Sequence, residues 1–419
     1  MGLFDYDARP ATPQVQLIGD RASAAAYTLR DFLTRNGRPY DWQEVDGTGD
    51  TVDPADLPLC ILPDGRRIVR ATVEQVAAGL GMILPPQLDG YDLVIVGAGP
   101  AGLGAAVYAT SEGLTTAVIE SVAPGGQAGT TSLIENYLGF PTGISGGELA
   151  TRAVSQARRF GAEILLARQL SGIAPESGGF RSELSDGSTM WSRSVLVASG
   201  VQWRRLDVEG IDDLLGAGVY YGAGPSEALG CRDSQVVIVG GGNSAGQAAV
   251  RFSRYAARVT LLVRGARLAA SMSQYLIDTI AGIENIEVRT STQVVGVVSD
   301  DHVHHVVVAS KDGTRESLAA DGLFVCIGGT PRSDRTSAAG VAVDSTGYIL
   351  TGTDLTASAD AVGRWPLSRD PLPLETSVPG LFAAGDVRHG SIKRCAAAIG
   401  EGAMAVALVH QHLEELDGG

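Results

Sequence analysis

The sequence predicts an α/β protein with two Rossmann-like units on parallel sheets, preceded by a smaller α/β domain. Three observations carry that prediction. The stretches VIVGAGPAG (Val94–Gly102) and VIVGGGNSAG (Val237–Gly246) each follow an apolar β-type run and open a helical segment. Around both, continuous apolar strands alternate with helices, the pattern of parallel βαβ units. Ahead of them, residues 13–82 show a separate βαβ-ββα order. In a glycine turn of this kind the first glycine allows the tight turn and the second admits the backbone to a pyrophosphate. The third small residue lets helix and strand pack closely, and the helix N-terminus faces the negative charge. One such turn is a weak signal. Two in the same context predict two dinucleotide sites, for which a flavin and a nicotinamide are the natural pair.

A chain of 419 residues has room for two or three domains with sizeable cores. Its 55 glycines beside 44% hydrophobic residues fit a globular protein rich in tight turns. A formal net charge of −15 argues against nucleic acid and anionic membranes as partners. No apolar run approaches the ~20 residues of a membrane span, and the opening MGLFDYDARP has no basic-then-apolar leader pattern. A cytoplasmic location is therefore expected. Cys60, Cys231, Cys326 and Cys395 are widely separated and form no CxxC, which excludes a disulfide framework and a local zinc knuckle.

Along the chain, residues 1–12 read as a polar tail. Residues 13–82 form the first domain: a strand at 14–19, a helix through Leu29, Phe32 and Leu33, and strands near Tyr40–Val45, Leu59–Leu62 and Ile68–Arg70. A helix at Val73–Leu80 ends it. The order resembles the glutaredoxin/thioredoxin fold, with Leu57-Pro58-Leu59 where that family keeps a cis-proline. Ser23 and Ala26 stand where its two cysteines would be, so this domain is expected to do no dithiol chemistry. Residues 83–90, with Pro85-Pro86, read as a linker. Residues 91–206 and 330–419 make the first nucleotide unit, and residues 207–329 the second.

In the first unit Gly97, Gly99 and Gly102 complete the turn with Pro100 and Ala101, and Glu120 ends the next strand about 20 residues on. An acid there accepts hydrogen bonds from an adenosine ribose and repels a 2′-phosphate, which suits FAD. In the second unit Gly240, Gly242, Asn243, Ser244 and Ala245 form the turn, and the matching strand ends in Arg264, with Arg267 close by. A cation there favours a 2′-phosphate, hence NADPH over NADH. A solvated surface arginine is the bland alternative.

The motifs GAGPAG, APGGQAG (Ala123–Gly129), IENYLGFPTGISG (Ile134–Gly146), GGGNSAG and VPGLFAAGDV (Val378–Val387) occur in the order of the low-molecular-weight thioredoxin reductase family. Residues 90–415 resemble that family. The resemblance implies an FAD domain interrupted by an NADPH domain, and a homodimer. By position it also implies flavin contacts from Gly126, Gln127, Asn136 and Gly200, a ribityl hydroxyl on Asp386, and Arg394, Cys395 and Ala396 at the isoalloxazine edge. The family usually has glutamine at Cys395.

The departure from the family is as informative as the match. Its CxxC-Asp motif falls on Gly222-Ala223-Gly224-Pro225-Ser226, so hydride entry is retained and the thiol exit is missing. The catalytic residue is left unassigned, with His389 and Cys395 as candidates: His389 as a proton donor or a loop residue, Cys395 as a redox group or packing. His302, His304 and His305 lie in an alternating stretch, Asp300–Val308, expected to form a hairpin, where a solvated strand face outweighs a metal site. No metal is expected. The leading expectation is an NADPH-dependent FAD oxidoreductase passing electrons directly to a small-molecule or redox-protein acceptor. A reductase acting on an acceptor's own disulfide, and a non-catalytic flavin-binding sensor or assembly protein, are the alternatives.

Overall fold

Apolar alternation and well-capped helices build the first unit of the computed structural model. The structure describes residues 14–20, 23–45, 52–130, 134, 137–211, 214, 218–222, 228, 231–300, 302–357, 363 and 365–418. Strand β1 (Val15–Gly19) lies at the centre of a four-stranded sheet, parallel to β2 (Tyr40–Glu44) and antiparallel to β3 (Leu59–Ile61), which pairs with β4 (Arg67–Ile68). Helix α1 (Ala24–Arg35) starts at Ser23, whose hydroxyl accepts a hydrogen bond from Ala26 N at 3.3 Å. Its face of Ala26, Leu29, Phe32 and Leu33 is buried, at the spacing of one helical stripe. Helix α2 (Val73–Gly79) opens on a capping box between Thr72 and Gln75. Met82, at the end of this sequence, is buried in the same core, so the connection to the next unit begins after it.

The second sheet is mostly parallel. Strand β5 (Gly90–Val96) leads into the first glycine turn and α3 (Pro100–Ser111), followed by β6 (Thr116–Glu120). Helix α4 (Gly146–Arg159), β7 (Glu163–Leu166), and the hairpin strands β8 (Leu170–Glu176) and β9 (Gly179–Leu184) come next, then the long β10 (Thr189–Val197). The order β7-β6-β5-β10 is parallel, and β9 joins one end of β10 in antiparallel pairing. The runs Leu93–Val96 of β5 and Val195–Val197 of β10 are continuous Val, Ile and Leu buried on both faces, as a covered parallel sheet requires.

The chain then leaves through β11 (Val201–Trp203). After it come β12 (Val219–Tyr221) and β13 (Gln235–Val239), the second glycine turn with α5 (Asn243–Phe252), β14 (Arg258–Val263), α6 (Gln274–Ala281) and β15 (Ile286–Thr290). An antiparallel sheet of β16 (Thr292–Ser299), β17 (Val303–Ser310) and β18 (Arg315–Ala319) precedes β19 (Gly322–Val325). The order β12-β19-β13-β14-β15 is parallel throughout. The chain returns through β20 (Gly329–Pro331), which pairs antiparallel with β11, so the two crossings form one ribbon. Strand β21 (Leu381–Ala383) then completes the first parallel sheet beside β10, and α7 (Cys395–Asp417) packs on α3.

The histidine stretch differs from the expected alternation. His302 precedes β17 and its Nε2 is 2.9 Å from Asp321 O, while His304 and His305 are both exposed. A register irregularity at Val298/Ser299 breaks the two-residue period there. Among the described residues no group of three or more His, Cys, Asp or Glu is placed to hold a metal.

Candidate functional site

Both glycine turns open into one cavity of about 1430 Å³. Single-ligand pockets run to roughly 1,000 Å³, so this space has room for more than one extended molecule. Its walls come from the N-terminal unit, from the two parallel sheets at the C-terminal ends of β5 and β13, and from the start of α7.

In the first turn Gly97 has φ +106°, and a Cβ there would lie 2.5 Å from Ala198 O. A Cβ at Gly102 would lie 1.8 Å from Gly97 O, so this glycine is demanded by helix–turn packing, and it does not reach the cavity. Gly99 is different. Its φ of −75° is open to any residue, and its Cβ would meet only Gly126 Cα at 3.9 Å. Gly99 lines the cavity and caps α3 with no side-chain hydrogen bond, leaving the helix N-terminus bare. The second turn repeats the distinction. A Cβ at Gly240 would lie 2.3 Å from Cys326 O, whereas at Gly242 (φ −94°) it would meet only Ser271 O at 3.8 Å, and α5 too lacks a side-chain cap. Two bare helix N-termini with space kept open before them fit two pyrophosphates.

Glu120 lines the cavity at the end of β6. Its carboxylate accepts hydrogen bonds from Ala98 N (2.8 Å) and Val122 N (2.9 Å), so it also braces the first turn from behind. Beyond it, Gly125 (φ +100°) and Gly126 (φ +54°) take consecutive left-handed conformations that glycine adopts without strain. Gly126 and Gln127 line the cavity, and Gln127 Nε2 donates to Val201 O. Gly200 (φ +68°) also lines the cavity.

At the second turn, Ser271 Oγ donates to Gly241 O at 2.8 Å, and Asn243 Oδ1 accepts from Ser273 N at 2.8 Å. Asn243, Ser244, Arg264 and Arg267 all face the cavity. Ala245 is fully buried against Gly240 and serves packing. Arg251 joins the wall from the same stripe of α5 as Ser244 and Gln247. Sequence reading missed it, although its spacing of seven from Ser244 was available. Arg204, Arg205, Arg332 and Lys393 were also missed, because they come from segments with no motif of their own.

The third wall holds Asp386, Lys393, Arg394, Cys395 and Ala398. Burial raises the Asp386 carboxyl above its usual range, with Lys393 opposing. Burial, and then the nearby Asp386, raises the Cys395 thiol, so it stays protonated and is a poor nucleophile. Gly222, at the end of β12, lines the same cavity. Ala396 is exposed and outside the lining. Asn136, Pro225 and Ser226 lie outside the described residues. His389 is also away from the cavity: its N donates to Ile349 O at 2.8 Å, and Nδ1 lies 2.7 Å from Asp344 Oδ2. Pairing of this segment with Ile349 keeps His389 out of the cavity lining.

The family model of pyridine nucleotide-disulphide oxidoreductases matches residues 91–402. A thioredoxin reductase of Listeria innocua is 32% identical over 328 residues, 78% of this chain and 95% of that protein. One from Treponema pallidum is 34% identical over 327 residues, covering 78% and 98%. Among solved structures, the T. acidophilum thioredoxin reductase superposes with a TM-score of 0.64 at 30% identity, over 77% of this chain and 99% of that one. The Lactococcus lactis thioredoxin reductase in its FR conformation gives 0.65 at 27%, over 78% and 99%. Thioredoxin reductases use FAD and NADPH. With both nucleotide turns in place and the match running across 91–402, the chain belongs to the pyridine nucleotide-disulphide oxidoreductases, as a thioredoxin reductase-like flavoenzyme.

Proposed function

We propose that this enzyme is an NADPH-dependent FAD oxidoreductase that passes electrons from the flavin directly to an acceptor, with no internal cysteine pair. The observation that carries the reading is the shared cavity: both nucleotide turns open into it, and the cysteines of its described lining, Cys326 and Cys395, are both free, with thiols raised by burial. Burial pushes the Cys326 thiol up to about 12, and Cys60, buried outside the cavity lining, is pushed up to about 11, which makes both poor nucleophiles.

In this reading Gly97, Gly99, Pro100 and Ala101 present the N-terminus of α3 to the FAD pyrophosphate, and Glu120 receives the ribose. Gly126, Gln127, Gly200, Asp386, Arg394 and Cys395 frame the rest. Gly240, Gly242, Asn243 and Ser244 receive the NADPH pyrophosphate, with Arg264 and Arg267 at its 2′-phosphate. When bound, the pair supplies hydride transfer and onward electron release; the protein orients both and keeps water from between them. The N-terminal unit is a thioredoxin-like fold without its cysteines, and the enzyme works as a cytoplasmic homodimer.

The test is an anaerobic absorbance titration with NADPH and, separately, NADH. Bleaching of the bound flavin by NADPH is expected, and should persist in a variant carrying Cys60→Ala, Cys231→Ser, Cys326→Ala and Cys395→Ser. A yellow protein that NADPH leaves unbleached would overturn the reading. The relatives' naming as thioredoxin reductases favours one second reading, reduction of an acceptor's own disulfide. Disulfide turnover by the cysteine-free variant would select it over small-molecule or redox-protein acceptors of other kinds.

A further inference from the structure

The N-terminal unit is built into the cavity wall. One stripe of α1 (Ala26, Leu29, Phe32, Leu33) fills that unit's own core, and another, Tyr27, Asp31 and Arg35, lines the cavity. Arg35 reaches into the neighbouring unit. Its Nη2 donates to Gly126 O at 2.9 Å and to Ala123 O at 3.3 Å, while Nη1 lies 3.5 Å from Asp31 Oδ2. The next residue, Asn36, donates from Nδ2 to Val122 O at 3.1 Å. Ala167, from the second sheet's unit, is buried in the N-terminal core, so the contact is packed as well as polar.

The segment held in this way is the one whose other side faces the first nucleotide turn. Gly125 N donates to Ala98 O at 2.7 Å, and a Cβ on Gly126 would be 3.1 Å from Gly99 Cα. Two adjacent glycines in left-handed conformations have many alternatives open to them when untied. A charge-assisted, two-carbonyl clamp is the kind of contact that selects one of them. We infer that Arg35 is a positioning residue for the cofactor: by clamping Ala123–Gly126, the N-terminal unit holds the first nucleotide turn in the shape that retains FAD. The inference rests on the reading of that turn as the FAD site. It assigns residues 14–82 a role in cofactor retention that needs no thiol.

The test compares Arg35→Ala, Arg35→Lys and Arg30→Ala in the full chain. Arg30 lies on the same helix with its guanidinium 4.6 Å from the centre of the Trp42 ring, so its loss perturbs the N-terminal unit without releasing the clamp. Apoprotein is titrated with FAD by flavin fluorescence, and each protein is melted with and without FAD. Arg35→Ala is expected to bind FAD about ten-fold more weakly and to show a smaller FAD-induced rise in Tm. Arg35→Lys should recover part of the affinity, since an ammonium keeps the charge but not the fork. Arg30→Ala should keep wild-type FAD affinity even if its apo Tm falls. Wild-type FAD affinity in Arg35→Ala, with or without a lower apo Tm, overturns the inference. Should Arg35→Ala fail to fold, Arg35→Lys decides: unchanged affinity there overturns it too. A wild-type chain that takes up no FAD overturns the underlying site reading instead, so the two failures are distinct.

Discussion

Gly99 and Gly242 occupy the same point of their two turns, and the packing around them asks for neither. Gly102 and Gly240, a few residues away, are required by contacts below 2.5 Å from any added Cβ. This separates glycines that build the fold from glycines that clear a path for a ligand. Gly102→Ala is expected to lower stability by roughly 1–3 kcal/mol or more, visible as a drop in Tm, because the turn cannot give way. Gly242→Ala should melt within error of wild type and instead raise the NADPH concentration needed for half-maximal flavin reduction. Equal Tm losses in the two would contradict the distinction. Arg264 belongs to the same scale. Its replacement by Ala is expected to weaken NADPH about ten-fold while leaving NADH nearly unchanged, as loss of a charge-assisted phosphate contact implies. Matching losses for both nucleotides in steady-state kinetics would remove Arg264 from the 2′-phosphate.

Among the elements, α1 shows how one helix serves two purposes. Its buried stripe was readable from Leu29, Phe32 and Leu33, whereas the stripe of Tyr27, Asp31 and Arg35 reads in sequence as an ordinary polar face. Ser23, at the position compared with a redox cysteine, acts here as the N-cap of α1. Ser23→Ala should therefore cost about 1 kcal/mol in unfolding experiments, with no change in the rate of flavin reduction by NADPH. A changed reduction rate at unaltered stability would assign Ser23 a chemical role. Strand β17 marks the opposite case: period-two alternation was expected, but a register irregularity in the sheet set aside the local pattern and left His304 and His305 both exposed. The segment around His389 is another, since its position was set by pairing with Ile349, far away in sequence.

For the whole molecule, the cavity collects Arg35, Arg251, Arg264, Arg267, Arg332, Lys393 and Arg394 in a chain of net charge −15. A concave basic site in an acidic protein focuses field on anionic ligands while the outer surface stays negative. The two nucleotide units are joined only through the β11–β20 ribbon in the chain's path, and both turns already share one cavity. With electrons leaving the flavin directly, as proposed, no unit has to swing away to expose a thiol relay. Small-angle scattering with and without NADP⁺ is expected to show no large rotation; a marked change in radius of gyration would overturn that expectation.

The features written into the chain locally are backbone ones: two strand–turn–helix units, their glycine spacing, Glu120 and Arg264 at the ends of the following strands, and the lack of any CxxC. Such features are legible because each needs only neighbours within a few tens of residues to act. The tertiary structure decided which of those glycines pack and which line the cavity. It also placed His389 and Ala396 outside it, and brought Arg251, Lys393 and Arg35 to its walls. These outcomes depend on contacts between segments remote in sequence, such as the 88 residues between Arg35 and Ala123, and no local pattern encodes where two such segments meet.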